Sequence, residues 1–245
     1  MAYFLGIDCA TRPQKTGVAL GVLHDDRVII ERCATGDRHH GVLELILDWV
    51  SSDDDVILGL DAPLGWPEAM GQQLTDHQAG MSLSAEPHAM FRRYTDSAIK
   101  QRLGKQPLDV GSNLIARTAH MALTLLQQLR DATGLPIPLA WAPQEEARWR
   151  AIEVYPAATR LVHGVTDKGG HLTGLEAVLD WSRVADTVMA SDDAADAAVC
   201  ALAAADFYRG RTIPPENEAL ARREGWIWVG HLPTGAESGC GSSGR

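Results

Sequence analysis

The chain has 245 residues, of which 45% are hydrophobic, so it is long enough to bury the core of one large domain without a disulfide or a structural metal. Its net charge of -10 and pI near 5.3 argue against a protein that coats nucleic acid nonspecifically, because phosphate contacts need clustered Lys and Arg. The four cysteines form no CxxC pair, which argues against a zinc ribbon or a thioredoxin-like redox site.

The first sixty residues predict three strands, one helix and a fourth strand. The apolar segments AYFLGID, TGVALGVL and RVIIERCA indicate an antiparallel meander, with a hairpin turn at His24, Asp25 and Asp26. Apolar residues at helical spacing predict a helix over residues 39–50. The segment VILGLD then predicts a buried fourth strand, which ends at an acid as the first strand does.

The middle of the chain is less regular. Prolines, a glycine and a basic patch in FRRYTDSAIKQRLGK predict that residues 62–110 form an insertion or lid over a site. Ser112 is predicted to cap a long helix that continues to Thr133. The segment AIEVYP predicts a fifth strand, with Glu153 near its end.

The last third predicts mostly helix. We expect a helix over residues 172–184 and a strong one in DDAADAAVCALAAADFYR, which starts at Ser191. The segment WIWV predicts a short strand. We therefore expect one α/β domain over residues 1–230, followed by a disordered low-complexity tail over residues 231–245.

Acidic residues occupy the positions that carry the functional argument. They end predicted strands or begin the last predicted helix, and they are Asp8, Asp61, Glu153, Asp193 and Asp196. Ionised carboxylates are costly in a low-dielectric interior unless they are paired or bind a cation. Oxygen ligands suit Mg²⁺ or Mn²⁺, and two such ions can orient a water and stabilise a leaving oxygen. The pattern therefore predicts a carboxylate metal site for phosphodiester hydrolysis.

Each acid also has a simpler structural interpretation. Asp8 and Asp61 would then only end a strand and start a turn. Asp192 and Asp193 lie in a first helical turn, where acids offset the helix dipole, and for Asp192 we prefer this interpretation. Glu153 alternates with apolar neighbours, as a solvent-facing strand residue does. Asp196 is harder to explain in this way, because its helix is almost entirely apolar.

The arrangement β-β-β-α-β, with acids on the first and fourth strands and on a final helix, resembles the ribonuclease H-like fold. The segment DDAADAAVCALAAA is similar to the last-helix motif of Holliday-junction resolvases, and FLGIDCA is similar to their first-strand motif. Together with GLDAPLGWP, FRRYTD and EVYPAA, these segments resemble an uncharacterised family of predicted nucleases with this fold. The resemblance extends to about residue 230 and implies a five-stranded mixed sheet flanked by helices.

The resemblance also implies roles for individual residues. Asp8 would bridge two metal ions, Asp61 would complete one metal site, and Asp193 or Asp196 would complete the other. Glu153 would contact metal or substrate phosphate, as would the two arginines of the insertion, Arg92 and Arg93. The resolvases carry a glutamate at the position of Asp61, and minimal ribonucleases H lack a counterpart of the insertion.

The leading hypothesis is a metal-dependent nuclease or related phosphodiesterase that acts on a nucleic acid or a nucleotide. One alternative is a phosphotransferase of the actin and sugar-kinase type, although CATRP after Asp8 is not the phosphate loop that such enzymes require. Another is a non-catalytic binding protein of the same fold. The absence of an apparent signal peptide or membrane span predicts a cytoplasmic protein with no membrane partner. Whether it forms a homodimer is left open.

Overall fold

The computed structural model describes residues 1–37, 41–112, 114–165 and 172–233. Its centre is one mixed sheet in which six strands follow the order β5-β4-β1-β2-β3-β6. The strands are β1 (Ala2–Asp8), β2 (Gly17–His24), β3 (Arg27–Thr35), β4 (Asp55–Asp61), β5 (Trp149–Glu153) and β6 (Leu179–Asp180). Neighbours β1, β2 and β3 pair antiparallel, while β4 pairs parallel with β1, β5 with β4 and β6 with β3.

Helices flank this sheet. In chain order they are α1 (Val42–Trp49), α2 (Glu68–Leu74), α3 (Pro87–Phe91), α4 (Tyr94–Leu103), α5 (Ile115–Thr133), α6 (Pro156–Val162), α7 (Ala185–Ala190), α8 (Asp192–Tyr208) and α9 (Glu218–Glu224). Short 3-10 turns lie at Pro13–Lys15 and Ser182–Val184. Among the described residues, no helix has the length and apolar composition that a membrane span requires.

Both faces of the sheet are buried because its strands are apolar on both sides. Alternate residues of a strand face opposite sides, and two separate clusters result. One cluster packs against α8 and includes Phe4, Ala19, Ile57 and Ile152. The other packs against α1 and α5 and includes Leu5, Ile7, Val18, Leu58, Leu60 and Ala151.

Helix α8 lies unusually close to the sheet. A Cβ atom on Gly6 would meet the Ala197 carbonyl oxygen at 2.0 Å, and one on Gly17 would meet the Asp193 carbonyl oxygen at 2.0 Å. The helix is also rich in alanine, and its residues from Ala197 to Phe207 are all buried. Small residues on both partners therefore bring the first turns of α8 directly onto β1 and β2.

The sequence correctly predicts most of this architecture. Strands β1 to β5, the hairpin turn after His24 and the long helix α8 that Ser191 caps are confirmed. Helix α1 is confirmed within the described residues, although the predicted positions His39 and His40 lie outside them. Residues 234–245 of the predicted disordered tail also lie outside the described part of the chain.

Four predictions of secondary structure were wrong. The sheet has six strands rather than five, because Leu179–Asp180 pairs with β3. Residues 172–184 form turns, this short strand and a 3-10 turn instead of a helix. The WIWV segment makes only isolated bridges, at Ile227 and at the following Gly230. Helix α5 begins at Ile115, and Ser112 contributes a backbone carbonyl to its first turn rather than a side-chain cap.

Candidate functional site

Asp8 and Asp61 end two adjacent parallel strands and lie opposite each other in register. Paired residues of neighbouring strands point to the same face of a sheet. Asp61 shares that face with Ile57, which belongs to the cluster under α8. Both carboxyl groups therefore leave the sheet on the side that α8 covers.

The N-terminal turns of α8 supply two further acids on this side. The hydroxyl of Ser191 accepts the backbone N–H of Ala194, so the helix begins at a fixed point above the sheet edge. Asp193 and Asp196 are three residues apart and share one helical face. The contact between Gly17 and the Asp193 backbone places this turn beside the strand pair that contains Asp8.

The pKa values of Asp8 and Asp61 respond to the neighbouring acids. Burial raises the pKa of Asp8 from 3.8 to about 9, with further contributions from Asp61, Asp196 and Asp193. Burial also raises the pKa of Asp61 to about 8, with Asp196 the next cause. Burial first, and the neighbouring acids second, therefore disfavour ionisation of both carboxyl groups.

Arg160 is a member of this cluster that the sequence did not point to. Its guanidinium forms an ion pair with Asp196 at 2.5 Å and lowers the pKa values of both Asp8 and Asp61. Arg160 lies on α6, which begins at Pro156 directly after β5. The available signal was an arginine in the otherwise mostly apolar segment PAATRLV, but only the packing of α6 on α8 reveals its target.

Tyr155 is a second residue that the sequence did not identify. It precedes α6, and burial followed by the charge of Asp61 raises the pKa of its phenol. Its hydroxyl therefore stays protonated near the carboxyl groups at neutral pH and keeps its capacity to donate a hydrogen bond.

The side chains as they stand do not form a closed metal site. In the described ranges, no group of three or more His, Cys, Asp or Glu side chains is arranged to hold a metal ion. Asp196 is turned toward Arg160, and Asp193 pairs with the exposed Lys15 at 3.4 Å. Chemically, the cluster can bind a cation if these two pairs rearrange, or it can keep Arg160 as its positive charge.

Glu153 lies on the other face of the sheet from the other predicted acids, although its charge still contributes to the raised pKa of Asp61. Its register partner is Leu60, which belongs to the cluster on the α1 and α5 face, so Glu153 points to the opposite side of the sheet from Asp61. There it is 4% exposed and accepts two hydrogen bonds from the guanidinium of Arg93, at 2.7 and 2.9 Å. It also accepts the backbone N–H of Leu64 at 3.0 Å.

The two arginines of the insertion have different surroundings. Arg93 is 2% exposed, and its guanidinium bonds to Asp96, Glu153 and the backbone of Glu224. Although burial alone would lower the pKa of Arg93, Glu153 and Asp96 raise it above its usual value. Arg92 is half-buried and pairs with Asp109 at 3.3 Å. Neither guanidinium reaches the acidic cluster in this arrangement.

Residues 6–219 match the model of a family described as "Protein of unknown function (DUF429)". The match includes all four acids, with the end of β1, the whole of β4 and α8, and it also includes Arg160. No curated protein and no solved structure matches the chain.

Proposed function

Because the chain belongs to the DUF429 family, whose description names no activity, we propose a function from the site itself: metal-dependent hydrolysis of phosphodiester bonds on a ribonuclease H-like fold. Sheet order and strand direction support this fold, since an antiparallel β1-β2-β3 meander is extended by parallel β4 and β5. The added β6 and residues 62–110 are then elaborations of that core.

One observation carries the proposal: acids from two neighbouring parallel strands and from one helix lie on the same side of the sheet. Asp8 and Asp61 are register partners, and the close contact of α8 with Gly17 brings Asp193 and Asp196 to them. A purely structural role would more simply use one acid with one basic partner. Here four acids are paired with one arginine and one exposed lysine, and burying carboxylates in excess of their cations costs stability.

The donor chemistry fits Mg²⁺ or Mn²⁺. All four candidate ligands, Asp8, Asp61, Asp193 and Asp196, offer carboxylate oxygens, which hard divalent cations prefer. Burial and neighbouring acids raise the pKa values of Asp8 and Asp61, and a divalent cation would favour their ionised forms. Glu153 is not among the ligands that we propose, because Arg93 and the Leu64 amide already bind it.

The roles of the protein groups follow from their positions. Asp8 and Asp61 hold the centre of the site, and Asp193 and Asp196 close it from the helix. A bound divalent cation would lower the pKa of a water and neutralise charge on the phosphate. Arg160, released from Asp196, can donate bidentate hydrogen bonds to the phosphate oxygens. The Tyr155 hydroxyl can donate a further hydrogen bond beside Asp61.

The test is cleavage of labelled single-stranded, duplex and branched DNA and RNA with Mn²⁺, Mg²⁺ or EDTA. We expect cleavage that depends on the metal and falls by at least about a hundredfold in Asp8→Asn. The matched control is Asp192→Asn, which removes an exposed acid from the same helical turn as Asp193 and should leave cleavage intact. Equal cleavage by both variants, or none by the folded wild-type protein, contradicts the proposal.

The pair between Arg160 and Asp196 favours a second candidate function, a non-catalytic binding protein of the same fold. Arg160 would then be the permanent counter-ion of the cluster, in keeping with the lack of a closed metal site among the described side chains. Isothermal titration of the wild-type protein with Mn²⁺ at pH 8 separates the two candidates. Saturable binding that Asp61→Asn removes supports the hydrolase, and its absence supports the binding protein.

A further inference from the structure

Two adjoining cavities open at the β1–β2 loop, on the α1 and α5 face of the sheet, opposite the face that carries the acidic cluster. The first, of about 270 Å³, lies between that loop, α1 and α5. The second, of about 950 Å³, is an open groove between the same loop and the start of α5. Both are lined by Cys9, Ala10 and Met121, so they adjoin. Cys9 follows Asp8 directly, so the double cavity lies at the edge of the sheet where the strands of Asp8 and Asp61 end, although on the other face.

The larger groove is basic in a chain whose net charge is -10. Its lining contains Arg12, Lys15, Arg117 and His120, and no carboxylate among the described residues. Lys15 reaches from this groove to Asp193 at 3.4 Å and so connects the basic lining to the acidic cluster. A row of cations that leads to a cluster of acids is complementary to a phosphate backbone whose scissile bond lies at the acids.

The smaller cavity has a different chemistry. Its wall is mostly apolar and includes Val42, Met121, Ala122 and Leu125. Its volume of about 270 Å³, roughly nine water molecules at about 30 Å³ each, exceeds that of one planar nucleobase, so a base can enter it. The thioether of Met121 suits contact with a flat aromatic ring. Glu44 at the exposed rim can accept a hydrogen bond from an amino group of the base.

We propose that the two cavities bind a single-stranded nucleic acid, with one unstacked base in the apolar cavity and the adjoining phosphates in the basic groove. The assignment rests on the proposed hydrolysis and specifies its substrate class. A base that is stacked and paired in a duplex cannot enter the cavity unless it leaves the helix. The protein should therefore prefer single strands, and a free mononucleotide should bind weakly because it contacts few of the cations.

The test measures binding without cleavage, in EDTA. The probes are fluorescein-labelled DNA and RNA strands of about 12 nucleotides, a duplex of the same sequence, an abasic strand and AMP. We expect at least one of the two strands to bind about tenfold or more tightly than the duplex and the abasic strand. AMP should compete poorly. Equal affinity for the base-containing and abasic strands, or competition by AMP at the affinity of the strand, overturns the proposal.

Salt dependence tests the basic groove separately. Each phosphate contact with a single strand contributes about -0.7 to the slope of log K against log salt concentration, so Arg12→Gln/Arg117→Gln should reduce the slope by about 1.4. The matched control is Arg148→Gln/Arg211→Gln, which removes two arginines whose ion pairs lie at exposed acids elsewhere. The same slope change in both double variants contradicts the assignment.

The apolar cavity has its own variant, and the outcomes separate this proposal from the hydrolysis proposal. Met121→Ser, at a 39% exposed position, should shrink the preference for bases over abasic sites without changing the salt slope. If the wild-type protein binds single strands but never cleaves them, the hydrolysis proposal is rejected and the proposed binding groove is retained. Cleavage with an unchanged KM in Arg12→Gln/Arg117→Gln would reject the groove and keep hydrolysis.

Discussion

Asp8 and Asp61 lie side by side on two parallel strands, and the charge of Asp61 adds to burial in raising the pKa of Asp8. The proximity is set by the backbone ladder between β1 and β4, so the two carboxyl groups cannot move far apart without breaking the sheet. Charge repulsion between them is therefore a fixed property of the fold, and it has consequences that can be measured.

The metal-free protein should become less stable as pH rises. The folded pKa of Asp8 is about 9 and that of Asp61 about 8, against 3.8 ordinarily, so the folded state binds more protons than the unfolded state over this range. Their contribution to stability is thus complete below pH 4 and is lost as pH rises toward 9. At pH 8 in EDTA, Asp8→Asn should be more stable than the wild type by about 2 kcal/mol, or roughly 4–8 °C in Tm, after allowance for partial solvation.

Thermal melts of both proteins from pH 4 to pH 9 provide the check. The difference in Tm between them should be smallest near pH 4, because folded Asp8 is then protonated and unfolded Asp8, with its ordinary pKa of 3.8, is about half protonated. If Asp8→Asn melts below the wild type by the same amount at every pH, removal of the Asp8 carboxylate does not relieve the predicted charge repulsion.

Divalent metal should stabilise the wild-type protein most at alkaline pH. A ligand at one hundred times its Kd adds about 2.7 kcal/mol, or roughly 5–10 °C in Tm, and protons compete with the metal for Asp8 and Asp61. The Tm increase with Mn²⁺ should therefore be large at pH 8 and small at pH 5. Asp8→Asn/Asp61→Asn should show no increase at either pH, whereas Asp192→Asn should respond as the wild type does.

The ion pair between Arg93 and Glu153 should dominate the stability of the insertion. Arg93→Met would leave Glu153 and Asp96 buried without their counter-ion, and such losses cost about 3–5 kcal/mol. The neighbouring Arg92→Met removes a more exposed pair with Asp109, for which we expect about 0–1 kcal/mol.

Urea unfolding of both arginine variants measures the contrast. Arg93→Lys should recover only part of the loss, because an ammonium group cannot match two carboxylates with a bidentate fork. Similar free energies of unfolding for Arg92→Met and Arg93→Met would contradict the assignment of Arg93 as the central counter-ion.

Gly17→Ala should damage both the fold and the site. The added Cβ would lie 2.0 Å from the carbonyl oxygen of Asp193, and backbone atoms on both sides leave no flexible group to move. We expect a loss of about 1–3 kcal/mol and a weaker affinity for Mn²⁺, because the first turn of α8 must move away from Asp8. The control is Gly71→Ala in α2, where the added Cβ meets open space and helix propensity predicts a gain of about 0.5–1 kcal/mol. If Gly17→Ala binds Mn²⁺ as tightly as the wild type does, the contact at Gly17 does not position the acids of α8.

Local patterns were sufficient to predict the strands that carry Asp8 and Asp61 and the helix that carries Asp193 and Asp196. Each lies in a segment whose apolar pattern is unambiguous, so the element and its end are both visible in the sequence. Their arrangement on one side of the sheet followed from the expected order of elements, and the register of Asp8 with Asp61 agrees with it.

The position of Glu153 could not be predicted in the same way. Its strand was correct, but the face that it occupies depends on the register between β4 and β5, and a shift of one residue reverses every side chain. Arg160 was not found because its partner is 36 residues away in sequence, at Asp196. The face that Glu153 occupies and the pairing of Arg160 with Asp196 both depend on how separate elements pack, so local sequence patterns do not reveal them.

The false helix over residues 172–184 has a local cause. Leu172, Leu175 and Leu179 are all buried, and their spacing of three and four residues is typical of a helix. Here successive turns produce the same spacing, since the backbone N–H groups of Leu175 and Val178 each bond three residues back. The last of these leucines then enters β6 beside Val28.

The network around Glu153 has a further consequence for how the chain can be divided. The carboxylate holds the Leu64 amide just after Asp61, while its counter-ion Arg93 comes from further along the same excursion. Residues 62–110 are thus bound to the core at Leu64 and at Arg93, and the segment between them cannot swing as a hinged flap without stranding a buried charge. A shortened protein that omits them would need an apolar or amide residue in place of Glu153 before it could fold.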